Sequence, residues 1–350
     1  MAPAVHGSVH RRDRRTKRRW RHDMKCLVTG ATGFVGSNLV RDLVHAGHEV
    51  LASGAPGSTT RFLSGLPVNI QLADLLDRHA VDSLVKGQDW VFHLAGDTST
   101  WRRLSARRRR VNVVAAGIVA DASVDARVGR LVHTSTIDVH GCNCDGSPVD
   151  ERGGSNPLTG MGYDYADTKV AGEQQVRNRM ADGLDVVVVY PGFMIGPFDH
   201  TLQLGRVIRD MHEGKTTFAF SGTSSFCDVR GVSAGILAAA ERGRCGEGYN
   251  LSGYNVGYAE MFSRIAELVG AKRRPIRLPR SALVAYGAGQ EVSAMVTGRP
   301  PSMDRGLGRY LSSPQSSDWG KAQRELGYSP GNIDIAIIDA AQWYDDNVCT

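Results

Sequence analysis

The sequence predicts an α/β protein: a doubly wound parallel sheet with a smaller, interleaved C-terminal lobe. Three observations carry this expectation. Short β-branched runs alternate with amphipathic stretches from Met24 onward, and a glycine-rich turn joins the first run to the first amphipathic stretch. Beyond about Pro191 the texture breaks into shorter pieces richer in Gly and Pro, such as GRCGEGYNLSG and RRPIRLPR. Alternating β and α segments make βαβ units with right-handed crossovers, which put helices on both faces of one sheet. Strands are expected at Lys25 to Thr29, Glu49 to Ala52, Asn69 to Leu72, Trp90 to Leu94, Arg130 to Thr134 and Asp185 to Tyr190. Helices are expected at Val35 to Ala46, Val111 to Ala122 and Met161 to Met180. The expected division is a basic tail over residues 1–23, a nucleotide-binding domain over 24–190, and a lobe over 191–345 with some segments returning to the sheet.

Composition sets the outer bounds. With 41% hydrophobic and 22% charged residues, and 41 Gly against 13 Pro in 350, the chain is not collagen-like, disordered or a disulfide scaffold. It holds no stretch approaching the roughly 18 apolar residues of a membrane helix and no apolar signal region, so a cytoplasmic protein with no membrane partner is expected. The net charge of +6 resides in the tail, where seven Arg and Lys17 face Asp13 and Asp23, leaving 34 basic and 34 acidic residues in the body. A neutral body removes whole-chain basicity as an argument for nucleic-acid binding, and nucleic acid is not an expected partner. The tail lacks apolar periodicity and reads as disordered; Met24 as the natural start, an idle solvated tail and a nucleic-acid or anionic-surface anchor remain open readings. The six Cys form no CxxC pair and no metal pattern, and Cys142 and Cys144 read as free loop thiols.

Thr29-Gly30-Ala31-Thr32-Gly33-Phe34-Val35-Gly36 lies between an expected strand and an amphipathic helix. Gly30 permits the tight turn, Gly33 lets backbone approach a pyrophosphate, and Gly36 lets the helix pack on the strand. The N–H groups opening that helix supply donors and a positive dipole end. Dinucleotide binding is the expectation.

Tyr165-Ala166-Asp167-Thr168-Lys169 places a phenol and an ammonium on one helix face. A nearby cation favours the phenolate and should draw Tyr165 toward acid–base service. His133-Thr134-Ser135-Thr136 ends an expected strand, at the carboxyl edge where ligands collect, and a hydroxyl there can stabilise a developing oxyanion. Tyr163 is a second phenol nearby, but only Tyr165 has Lys four residues on.

The ordered set TGATGFVG, Asp74-Leu75, Phe92-His93-Leu94-Ala95-Gly96, Val111-Asn112-Val113, HTST, YADTK and YPGFMIGP resembles the extended short-chain dehydrogenase/reductases, from Met24 to about Asn347. The resemblance implies a Rossmann sheet with Gly30, Thr32, Gly33, Phe34, Val35 and Gly36 on the cofactor and Asp74 and Leu75 at its adenine end. It also implies Leu94, Ala95, Gly96, Asn112 and Pro191 along the cofactor. Tyr165 would be the acid–base, and Lys169 would hold the nicotinamide ribose while tuning Tyr165. Thr136 would be the triad hydroxyl, with Ser135 the adjacent alternative. Dehydratases of this family carry Thr-Asp-Glu where this chain has Thr136-Ile137-Asp138, which argues against dehydration. YPGFMIGP, Phe226-Cys227-Asp228-Val229 and SSPQSSDWGKAQRELGYSP look more like the dihydroflavonol-4-reductase-like group, which reduces ketones or aldehydes.

The second strand ends Ala52-Ser53-Gly54-Ala55, without the acid that favours NAD. Ser53, Ser58 and Arg61 could bind a phosphate instead, so the expected cofactor is NADP, with NAD the alternative. Arg102, Arg103 and Arg107 to Arg110 either bind an anionic substrate or form a solvated face. Tyr254, Tyr258, Phe262 and Tyr286 either wall a substrate or fill the lobe's core. The expected function is NADPH-dependent reduction of a small carbonyl compound, or the reverse oxidation of an alcohol. An NDP-sugar 4-epimerase retaining NAD and, more distantly, a non-catalytic nucleotide-sensing or nucleic-acid-associated protein are the alternatives. The long helices from Val111 and Met161 could pair in a homodimer.

Overall fold

The computed structural model describes residues 23–99, 101–155, 163–200, 202 and 204–347. The basic tail, apart from Asp23, lies outside these residues, as do Cys349 and the first two residues of the helix expected from Met161.

The chain runs β1 (Lys25–Thr29), α1 (Phe34–His45), β2 (Glu49–Gly54), β3 (Asn69–Leu72), α2 (Arg78–Val85), β4 (Trp90–His93), α3 (Ser105–Arg109), α4 (Ala115–Asp125), β5 (Arg130–Thr134), α5 (Asp164–Asn178) and β6 (Val186–Pro191). The lobe adds β7 (Phe193–Ile195), α6 (Gly205–His212), β8 (Phe218–Ala219), β9 (Thr223–Asp228), α7 (Val229–Arg242), β10 (Gly248–Leu251), β11 (Tyr254–Gly257), α8 (Tyr258–Leu268), β12 (Ile276–Arg277), α9 (Arg280–Thr297), α10 (Arg305–Tyr310), α11 (Gly320–Leu326) and α12 (Ile333–Asn347). Seven strands form one parallel sheet in the order β3-β2-β1-β4-β5-β6-β10. Strand order reverses between β1 and β4, the crevice where doubly wound sheets bind dinucleotides.

Strands buried on both faces read as continuous apolar runs, and β6, with Val186 to Val189 wholly buried, shows why. One face packs Leu39, Val40 and Leu43 of α1 with Val232 and Ile236 of α7. The other packs Leu84 of α2, Val119 of α4 and Val176 of α5. A third core, with Phe226, Tyr258, Tyr310 and Tyr344, fills the lobe and takes in Tyr163 and Ala166, so the start of α5 is anchored in the lobe.

Two expectations need correction. The helix expected from Val111 begins earlier, as α3, passes through a π-helical turn at Arg110–Val114, and continues as α4. GRCGEGYNLSG, read as lobe texture, contributes β10, which pairs with β6 from Gly248↔Val188 to Leu251↔Pro191. Its glycines disguise a strand whose four residues are all buried.

Candidate active site

At the β1–α1 turn Gly30 takes φ +71°, and a Cβ there would lie 2.8 Å from the Ala95 nitrogen. A Cβ on Gly36 would lie 2.1 Å from the Gly30 oxygen, so helix and turn touch as the sequence implied. Gly33 caps α1 in extended conformation with no side-chain hydrogen bond to the helix, which leaves the first N–H groups for an anion. A cradle this close-packed and uncapped fits the pyrophosphate of a dinucleotide. Thr29 Oγ1 and His93 Nδ1 share a 2.8 Å hydrogen bond across β1 and β4, directly beneath it.

At the end of β2 a Cβ on Gly54 would lie 2.6 Å from Thr32 Oγ1, so the position that bears an acid in NAD-preferring relatives of this fold abuts the cradle. The Ser53 hydroxyl is buried and has no partner among the described residues, which removes it from a surface phosphate site. Ser58 is half-buried and Arg61 exposed on the loop beyond. Asp74 is exposed, with Oδ1 accepting the Leu76 N–H at 2.9 Å, and Leu75 packs on the core below.

Leu94, Ala95 and Gly96 follow β4, and a Cβ on Gly96 would lie 3.4 Å from Asn112 Oδ1 and 3.9 Å from Lys169 Nζ. Asn112, on the π turn, accepts the Asp97 N–H at 2.7 Å and donates to the Asp97 oxygen and to Thr168 Oγ1 at 3.0 Å each. Its amide thus grips the loop and α5. Pro191 closes β6 and pairs with Leu251.

Tyr165 and Lys169 lie in the first turns of α5, and Thr136 lies two residues beyond the end of β5. Lys169 Nζ donates to the Thr134 oxygen at 2.7 Å. Burial pulls the ammonium down to about 8, partly opposed by Glu173. Thr136 opens the short turn Ile137–His140, its Oγ1 accepting the Asp138 N–H at 3.3 Å. Ser135 is also buried, held to β6 through its N–H on the Val189 oxygen, and its hydroxyl has no partner among the described residues. The expectation that Lys169 draws the Tyr165 phenol down is overturned: burial first, and the Asp138 charge second, push it well above its ordinary value. Tyr163 is buried, with its ring stacked on Tyr310, centroids 4.3 Å apart.

The arginine run divides. Arg108 is fully buried and donates to the Ser99 oxygen and to Asp164, and Arg107 pairs with Asp97 at 2.7 Å. Arg102, Arg103, Arg109 and Arg110 are exposed. Tyr258 and Phe262 belong to the lobe core, while Tyr254 and Tyr286 are exposed. Cys142 is buried and Cys144 exposed. Sequence reasoning missed Asp138 and Tyr310 as parts of the site; the signal for Asp138 was an acid two residues past a candidate hydroxyl at a strand end. A polar cavity of about 400 Å³ lies elsewhere, lined by Arg177, Glu247, Asp318 and Lys321 among others; its mixed charges belong to the edge beyond β10. Among the described residues no group of His, Cys, Asp and Glu could hold a metal, and no helix is long and apolar enough to cross a membrane.

This fold and this cradle define a nicotinamide-dinucleotide enzyme of the Rossmann type. The chain belongs to the NAD dependent epimerase/dehydratase family, whose model matches residues 26–257. It is 31% identical over 324 residues to sterol demethylase protein B of Methylococcus capsulatus, covering 92% of this chain and 98% of that protein. It is 32% identical over 316 residues to the 4-hydroxy-2-methyl-3-oxo-4-farnesyl-3,4-dihydroquinoline-1-oxide ketoreductase of Stigmatella aurantiaca, covering 87% and 92%. The solved structure of a nucleoside-diphosphate-sugar epimerase from Pseudomonas aeruginosa superposes with a TM-score of 0.76 at 27% identity, covering 93% and 98%. The extended short-chain dehydrogenase/reductase resemblance is thereby borne out, with reductases, dihydroflavonol 4-reductase among them, in the set of relatives.

Proposed function

We propose that the chain is an NADPH-dependent reductase of a ketone or aldehyde carried on a small, largely apolar molecule. What supports this reading most is that Lys169, one turn of α5 on from Tyr165, donates to the Thr134 oxygen at the end of β5, two residues before Thr136, and lies beside Gly96 on the cradle loop. When bound, the dinucleotide supplies a hydride to the carbonyl carbon. The Thr136 hydroxyl donates to the carbonyl oxygen and steadies its growing charge. Tyr165, held in its protonated form by burial, gives that oxygen its proton. Lys169, still cationic at neutral pH, holds the ribose and offsets the charge left on Tyr165. Residues 191–345 mainly shape substrate choice. The names of two relatives, a sterol demethylase protein and a farnesyl-bearing ketone's reductase, support an apolar substrate. Exposed Val114 and Val170 on the paired helices support a homodimer.

The test is NADPH oxidation by the purified protein against apolar ketones and aldehydes, with mass spectrometry of any nucleotide released on denaturation. The Tyr165→Phe variant should lose turnover while keeping NADPH binding. Stoichiometric trapped NAD with no NADPH oxidation would replace this reading by the sugar-nucleotide epimerase.

A further inference from the structure

α9 packs along one side only. Leu283, Gly287 and Ala294 are buried, and a Cβ on Gly287 would lie 2.6 Å from the oxygen of Asp304, the residue that caps α10. Ala285, Gly289, Val292 and Val296 follow at the spacing of a single helix face turned away from that contact, and all four are exposed. Val292 is 61% exposed, Met295 beside it 69% and Val296 84%. A Cβ on Gly289 would meet nothing within 4 Å. A helix facing water ordinarily carries charged side chains on its outer face. From Ser281 to Thr297 this one carries a single charge, Glu291, which is paired with Arg305 at 2.8 Å. The ribbon leading into α9 is built alike, with Phe218 and Ile276 in register across β8 and β12 and each about half exposed.

The charge around this apolar strip is of one sign. Between Val269 and Met303 the chain has six cations, Lys272, Arg273, Arg274, Arg277, Arg280 and Arg299, with Glu291 the sole acid. All six are exposed, and none has a carboxylate partner among the described residues; Arg273 instead donates to Thr216 Oγ1 at 2.9 Å.

We propose that the outer face of α9, with its basic surround, docks the protein on an anionic lipid surface, the helix lying among the headgroups with Val292, Met295 and Val296 turned to the acyl chains. Apolar side chains leaving water supply the attraction, and the cations hold the face against lipid phosphate. The expectation of no membrane partner rests on the lack of a spanning or signal stretch; a helix that lies in the interface needs neither. A second copy of the chain fits this face less well, because it would bring the same unneutralised cations to the same rim. The docking does not depend on which reaction Tyr165 and Lys169 perform.

In the experiment the full chain is floated with vesicles of phosphatidylcholine alone and of phosphatidylcholine with about one third phosphatidylglycerol, at low and at high salt. It should rise with the anionic vesicles, stay behind with the neutral ones, and bind less as salt increases. The basic tail adds electrostatic attraction of its own, so substitutions decide. Val292→Asp with Val296→Asp should weaken binding to the anionic vesicles by about tenfold or more at an unchanged melting temperature. Arg277→Ala with Arg280→Ala and Arg299→Ala should weaken it by about tenfold as well. Should the aspartate pair not fold, Met295→Ser with Val296→Ser is the second variant of the apolar face with the same direction of effect. No flotation by the full chain, or equal flotation with neutral vesicles, would overturn the proposal. Flotation untouched by the loss of Val292 and Val296 would also overturn it and assign the binding to the tail. A dimer in solution that the aspartate pair dissociates would overturn it by giving the face to a second copy.

Discussion

Asn112 holds both backbone groups of Asp97, accepting its N–H at 2.7 Å and donating to its carbonyl at 3.0 Å, from a turn of π-helix. The wider turn is what carries the side chain to the loop; π-helical turns recur at functional sites for this reason. Asn112→Ala should leave a buried N–H without an acceptor and cost about 2 kcal/mol of unfolding free energy. It should also weaken dinucleotide affinity, because the Leu94 to Gly96 segment loses its anchor. Urea unfolding and NADPH titration of the same variant check both.

Lys169 predicts a pH-dependent stability. Its ammonium titrates at about 8 in the fold against an ordinary 10.5, so the folded state resists a proton that the unfolded chain accepts. Below the folded value both states are protonated and the cost is full; it is relieved as the pH rises from about 8 to 10.5. In nucleotide-free protein Lys169→Met should therefore be more stable than its parent at pH 7, and the gap should narrow by about 2 to 3 kcal/mol toward pH 10. Denaturant melts across that range decide it; a constant gap would mean that the ammonium is not the cause.

The buried pair His93 and His133, stacked with centroids 5.4 Å apart, predicts acid sensitivity. Burial first, then the Lys169 charge, pulls His93 down to about 3 and holds His133 well below its usual range. Such groups contribute stability that is present above their unfolded value and lost as the pH falls beneath it. Each costs about 1.4 kcal/mol per pH unit over that interval. His133→Phe removes a ring whose two nitrogens have no partner among the described residues, and the acid-unfolding midpoint should move to lower pH.

Arg108 and Arg102 should behave oppositely. Arg108→Met removes the hydrogen bonds of a buried guanidinium to Ser99 and Asp164 and should cost about 1 to 2 kcal/mol, since Asp164 is partly exposed and keeps its bond from Ser105. Arg102→Ala and Arg103→Ala, both exposed, should change stability by less than about 0.5 kcal/mol. If either also weakens binding of an anionic substrate, the cation-lined substrate reading returns for those two alone.

The parts of the site legible in the sequence are those written locally. The TGATGFVG turn, the strand ending at Thr134 and the Tyr165–Lys169 spacing each fit within one or two elements, so pattern and position suffice. What was not legible depends on chain that arrives from far away. Tyr310 reaches Asp138 from 172 residues downstream, and no local pattern marks α10 as a partner of β5. The expected pull of Lys169 on Tyr165 was a two-body argument; burial and Asp138, invisible to helix spacing, outweigh it. In the arginine run, charge alone cannot tell Arg108, turned inward to Asp164, from neighbours that face water.

The pairing of β6 with β10 bears on how this chain survives its own synthesis. When residues through Pro191 have emerged, six strands can assemble, but Val186 to Val189 then form an apolar, β-branched border with unpaired backbone groups. That border is a template for intermolecular pairing until Gly248–Leu251 is made and docks on it. A chain interrupted between these two points should aggregate through the Val run, and a glycine-rich segment that looked like connecting texture is what closes the sheet.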